Sequence, residues 1–194
     1  QSSLNGARRI KRVGDYFYSF CDYRIFRCEN PRTDTWDTFY ENTAGKTCPL
    51  ASDMIEHEGK FYACGIPRSP SLYFIGWSDD ATDWPSSNNL FTTPLNESPP
   101  VRLYPFPSGI IAYCSGGLLR ASKNGWATID IGIEGVNSGI DEPTRTNVSG
   151  RVLSAGGLLY ILGGGNVFNP DTLQASDPIP LPLRLAVGLA ARKL

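Results

Sequence analysis

The chain has one histidine, His57, which lies between Glu56 and Glu58 just before Gly59. Beside a glycine turn it reads as an exposed edge residue rather than a general base, because a base needs an orienting partner and a substrate within hydrogen-bond reach. The five cysteines are Cys21, Cys28, Cys48, Cys64 and Cys114. They show no Cys-x-x-Cys spacing and have only His57 as a nitrogen partner, so no zinc site is expected. Three of them sit in or at the end of strand-like runs, where a small thiol packs well, and the odd count does not complete a disulfide framework. Reduced, mostly buried cysteines are expected, with a Cys21–Cys28 bridge across a hairpin as the alternative. Gly163-Gly164-Gly165 lacks the lysine and the following helix of a phosphate loop, and no serine elbow or paired-histidine motif occurs. No catalytic residue, metal or cofactor is therefore expected. The two sequons, at Asn96 and Asn147, are too short a pattern to place the chain outside the cell.

Binding chemistry is better represented. Trp84, Asn88, Asn89, Phe91 and Asn96 mix aromatic platforms with amides, a composition suited to sugar or peptide, and form the candidate ligand-binding loop. The net charge is −1, unevenly spread: residues 1 to 32 hold seven basic and three acidic side chains, residues 37 to 97 three basic and nine acidic. Arg8, Arg9, Lys11, Arg12, Arg24 and Arg27, with Tyr16, Phe17 and Tyr23 for stacking, make nucleic acid a conceivable partner. A pI near 5.9 argues against that footprint and favours a solvated basic rim or a surface facing an acidic protein.

The elements that must carry these residues form a repeat. Gly14, Gly59, Gly109 and Gly157, spaced 45, 50 and 48 residues apart, each launch a short apolar run that suits a strand. Examples are Tyr16 to Cys21 and Ile110 to Cys114. A second turn follows each run: Asn30-Pro31-Arg32-Thr33-Asp34-Thr35-Trp36, Ser78-Asp79-Asp80-Ala81-Thr82-Asp83-Trp84, Ser122-Lys123-Asn124-Gly125-Trp126 and Asn169-Pro170-Asp171-Thr172. Proline sets φ, Asn, Asp and Ser bond back to nearby backbone, and Trp36, Trp84 and Trp126 are expected to be structural, packing at equivalent positions between neighbouring sheets.

The stretch Gly156-Gly157-Leu158-Leu159-Tyr160-Ile161-Leu162-Gly163-Gly164, with Val167-Phe168-Asn169-Pro170-Asp171-Thr172, resembles one kelch repeat of a β-propeller. The turns before Trp84 and Trp126 resemble degenerate Asp boxes, the hairpin motif of sialidase-like propellers. The fourth repeat departs from the kelch pattern in having Gln174 and Ala175 where tryptophan would stand. The resemblance implies an all-β fold, a β-propeller of about four blades, closed on itself or completed by another subunit. Residues 1–194 then form a single domain with repeats at approximately 8–47, 48–98, 99–146 and 147–182, and 183–194 supply a closing or exchanged strand.

Sialidase-like propellers also imply an alternative, a carbohydrate-active enzyme with an arginine cluster and a tyrosine nucleophile beside a glutamate. Arg68, Arg102, Arg120 and Arg145 are scattered singly, and Tyr40-Glu41 is the one such pair, in a polar linker. The leading expectation is a non-enzymatic binding or assembly module: a virion component such as a phage tail protein, or a cell-surface adhesion protein, recognising protein or glycan, or self-associating. The sialidase-like enzyme is the first alternative and a nucleic-acid binder using the basic N-terminal region the second. No apolar run reaches the length of a membrane span, so a soluble protein without membrane insertion, in a virion or at an extracellular surface, is expected.

Overall fold

A computed structural model of the chain describes residues 9–20, 24–33, 35–41, 50–66, 72–82, 84, 88–94, 100–114, 118–129, 152–161 and 166–176. Among the described residues the fold is all-β: four four-stranded antiparallel sheets, none closed, each a meander with strands in chain order. One sheet falls within each sequence repeat. By contacts the chain divides into two compact units, Gln1–Leu103 and Tyr104–Leu194.

In the first unit, β1 (Arg9–Val13), β2 (Tyr16–Phe20), β3 (Arg24–Cys28) and β4 (Asp37–Glu41) make one sheet. β5 (Leu50–His57), β6 (Lys60–Ile66), β7 (Leu72–Ser78) and β8 (Asn89–Pro94) make the next. The third sheet comprises β9 (Pro100–Phe106), β10 (Gly109–Cys114), β11 (Leu119–Ala121) and β12 (Thr128–Ile129), and residues of β9 up to Leu103 group with the first unit. β13 (Val152–Ala155), β14 (Leu158–Ile161), β15 (Asn166–Asn169) and β16 (Gln174–Ala175) form the fourth.

The launching turns join the first two strands of each sheet. His57 pairs with Lys60 around Glu58-Gly59, whose φ values are 51° and 74°, and Ala155 pairs with Leu158 around Gly156-Gly157 at 57° and 78°. Two consecutive positive φ angles are what a two-residue type I′ hairpin requires, and glycine adopts them without a Cβ clash.

The second set of turns joins the third and fourth strands. Asn169 Oδ1 accepts the N–H groups of Asp171 at 2.8 Å and Thr172 at 3.4 Å, and Leu173 N–H closes the turn onto Asn169 O at 2.9 Å. Asn30 does the same for Arg32 N–H at 3.1 Å. In the second sheet the role passes to Asp80, which accepts from Thr82 N–H at 2.8 Å and from its hydroxyl at 2.6 Å. In the third, Ser122 begins a short 3₁₀ turn and its Oγ accepts Ile110 N–H at 2.9 Å, tying the turn back to β10. Short polar side chains that bond their own backbone fix the turns of the first, second and fourth sheets locally, and Ser122 anchors the third to the neighbouring strand.

The core of the first unit gathers Val13, Tyr18, Phe20 and Ile25 of the first sheet against Met54 and Ala63 of the second, with Ala81 and Trp84 from the β7–β8 connection. In the second unit β14 alternates strictly, with Leu159 and Ile161 buried, whereas β10 is buried on both faces from Ile110 to Cys114. Among the described residues no helix is long and apolar enough to cross a membrane. The closing-strand expectation for 183–194 falls outside the described residues.

Candidate functional site

A buried polar centre of the first unit is Asp53, fully buried in β5 beside a register shift between Ala51 and Asp53. A carboxylate out of water must be saturated with donors. Oδ1 accepts Met54 N–H at 3.0 Å and Lys11 Nζ–H at 3.1 Å, and Oδ2 accepts Leu103 N–H at 2.9 Å. Arg9 Nη1 lies 3.0 Å from Oδ1, an ionic contact whose N–H is not aimed at the oxygen. One side chain thus joins β1, β5 and the start of β9. Burial pulls the Lys11 amine below the usual lysine range, Asp53 opposing the shift and Arg9 adding to it.

Arg9 and Lys11 therefore do not form the solvated rim expected of the basic N-terminal stretch; alternation along β1 turns both toward Asp53. Arg27 is also engaged within the sheet, its guanidinium 4.7 Å from the Tyr16 ring centroid and 4.8 Å from that of Phe39. Burial raises the Tyr18 hydroxyl above its usual range, with Arg27 working against it. Arg12 donates to Gly14 O at 3.3 Å and lies 6.0 Å from the Phe17 ring centroid. Arg8, Tyr23 and the side chain of Arg24 fall outside the description.

The candidate ligand loop divides. Trp84 is buried in the core, its Nε1–H donating to Ala81 O at 2.8 Å, so its indole offers no exposed platform. The left-handed φ of 63° at Ala81 brings that carbonyl within reach of the indole. Asn88 donates to Trp77 O at 3.2 Å, Phe91 is half-buried, and Asn89 pairs through its backbone with Gly76. Asn96 lies outside the described residues. A second half-buried aromatic of this sheet is Trp77, with Lys60 Nζ 3.6 Å from its ring centroid and Tyr62 as cross-strand partner. His57 is tilted against Tyr62 at 6.3 Å, and Asp79 lies 3.9 Å from Lys60. This cation–aromatic row on the second sheet could have been noticed from the period-two spacing of Lys60 and Tyr62.

Trp126 is buried like Trp84 but occupies a different turn position. It adopts φ 66° and closes the turn through its own N–H to Ala121 O at 2.8 Å, as Leu173 does in the fourth sheet. Trp36 is half-buried at the entry to β4. Of the arginines considered for a glycosidase, Arg102 and Arg120 are buried. Arg120 Nη1–H donates to Trp126 O at 3.0 Å, a structural use. Arg68 and Arg145, the side chains of Tyr40 and Glu41, and the Gly163–165 run fall outside the description.

Cys28, Cys64 and Cys114 are buried thiols; Cys48 and Cys21, and with Cys21 the proposed hairpin bridge, fall outside the description. Among the described residues no group of three or more His, Cys, Asp or Glu could hold a metal ion. Burial pushes the Cys114 thiol from its ordinary 9.0 up to about 12, with Arg120 opposing. The folded thiol therefore stays protonated where an unfolded one ionises. Its contribution to stability is complete below about pH 9 and is lost as pH rises toward 12. Alkylation of Cys114 at pH 8.5, followed by peptide mass spectrometry, is expected to be slow in the native protein and fast in denaturant; equal rates would contradict the buried placement.

No protein family, curated protein or solved structure matches the chain.

Proposed function

We propose that the chain is a non-enzymatic binding or assembly module of β-propeller type, whose four meanders act as blades and whose ring is closed on itself or completed by another subunit. The observation that carries this reading is the recurrence of the same strand order in all four repeats and, in three of them, of a polar side chain bonded to the backbone of its own turn between third and fourth strands. A chain that spends its turn chemistry on rigidity suits a scaffold that displays loops to a protein or glycan, as a virion or cell-surface component does. The side chains best suited to catalysis support the same reading, since Asp53, Arg102 and Arg120 are buried and Asp53 and Arg120 bond to backbone.

The surface row of Trp77, Lys60 and Tyr62, with Asn88 bonded to the Trp77 carbonyl, is the ligand-facing patch in this reading, since flat rings with adjacent amide and ammonium groups suit sugar faces and peptides. A glycan array run beside a turnover assay on the same glycans tests it. Binding without product is expected, weakened at least tenfold by Trp77→Ala while the melting curve stays near that of the parent. Product formation would establish the carbohydrate-active alternative instead, and salt-sensitive retention on a DNA column would establish the nucleic-acid one.

A further inference from the structure

The Asp53 junction sets two cations against one carboxylate. Arg9 and Lys11 both face Oδ1, at 3.0 and 3.1 Å, while the two backbone donors, Met54 N–H and Leu103 N–H, are neutral. Asp53 is the carboxylic acid that the described residues place against this pair, and the buried Cys64 thiol is a further titratable group acting on Lys11. The carboxylate is saturated, with three hydrogen-bond donors and the ionic contact of Arg9 around two oxygens, but the cations are not. Lys11 uses one of its three N–H groups, and the guanidinium of Arg9 keeps its Nε and Nη2 donors. Both side chains are about three-quarters buried, at 25% and 24% exposure, so the surplus positive charge is only partly hydrated.

We propose that Arg9 and Lys11 together form a binding site for a small oxyanion of the phosphate or sulfate class. The planar fork of an arginine matches two oxygens of such an ion, and the lysine ammonium supplies a point charge for a third. Asp53 then acts as the positioning residue, holding both cations side by side through its own buried, backbone-anchored carboxylate. The bound ion makes the cluster neutral or negative instead of positive, which relieves the repulsion between two cations that share one oxygen. The competing physical outcome is that Lys11 sheds a proton, which removes the surplus charge with no ligand at all.

Thermal unfolding of the full chain distinguishes these. Inorganic phosphate is titrated at neutral pH and constant ionic strength to roughly 20 mM, below the range where salt exclusion stabilises proteins generally. The parent is expected to show a saturating rise in Tm, as for any ligand bound only by the native state. Lys11→Met leaves Asp53 paired with Arg9 alone and is expected to abolish the rise; Lys11→Arg is expected to keep it. A parent protein indifferent to phosphate overturns the site, and so does an undiminished rise in Lys11→Met. A stability that follows pH across the Lys11 titration but not phosphate also overturns it, in favour of the neutral lysine. Should Lys11→Met fail to fold, Arg9→Met carries the same comparison, and a flat parent titration remains decisive.

Discussion

Asp53→Ala is expected to destabilise the first unit by about 3 to 5 kcal/mol, the usual cost of removing one partner from a buried ion pair. The loss has identifiable parts. Leu103 N–H and Met54 N–H lose their acceptor, and Arg9 and Lys11 are left as neighbouring cations with no carboxylate between them. Because both cations are about a quarter exposed, they recover some hydration, which places the effect toward the lower end of that range. Adding Lys11→Met to Asp53→Ala removes one of the stranded charges. The double variant is therefore expected to be more stable than the sum of the two single losses implies, the sign of direct coupling. Urea unfolding of the four proteins measures this, and an Asp53→Ala midpoint equal to that of the parent would show that the carboxylate does not hold β1, β5 and β9 together.

What could be read from the sequence was what is fixed locally. The glycines at 59 and 157 mark their hairpins because the φ requirement is met by one residue type at one position. Asn30, Asp80 and Asn169 mark theirs because the side chain and its backbone partner are two residues apart. Burial is not local. Asp53 is an acid inside a strand, followed by Met54 and Ile55, and that placement was a signal, but its partners lie 42 and 50 residues away along the chain. The same distance explains why Arg9 and Lys11 read as rim residues: composition counts charges without saying which side of a strand they occupy. Trp84 shows the limit from the other direction. Its neighbours Asn88 and Phe91 have the composition of a ligand loop, yet the left-handed turn at Ala81 holds the indole against the core.

That buried position leads to the second large effect. Trp84→Ala is expected to cost about 3 to 5 kcal/mol, as for a large aromatic removed from a packed core. The indole packs in the cluster that joins Tyr18, Phe20 and Met54, so truncation leaves a cavity bordered by both sheets of the first unit, and the Ala81 carbonyl loses its donor. Trp126→Ala is expected to approach the same cost, since its indole is buried to the same extent, and the φ of 66° adds nothing because tryptophan and alanine carry the same Cβ. Trp36, half-buried at the entry to β4, is expected to cost less than either. The ordering Trp84 and Trp126 above Trp36, read as melting temperatures of the three alanine variants, follows from burial and not from recurrence in the sequence, because recurrence alone predicts three equal losses. Equal losses would return the three tryptophans to a single repeated role, and a Trp84→Ala protein that melts like the parent would remove the indole from the core.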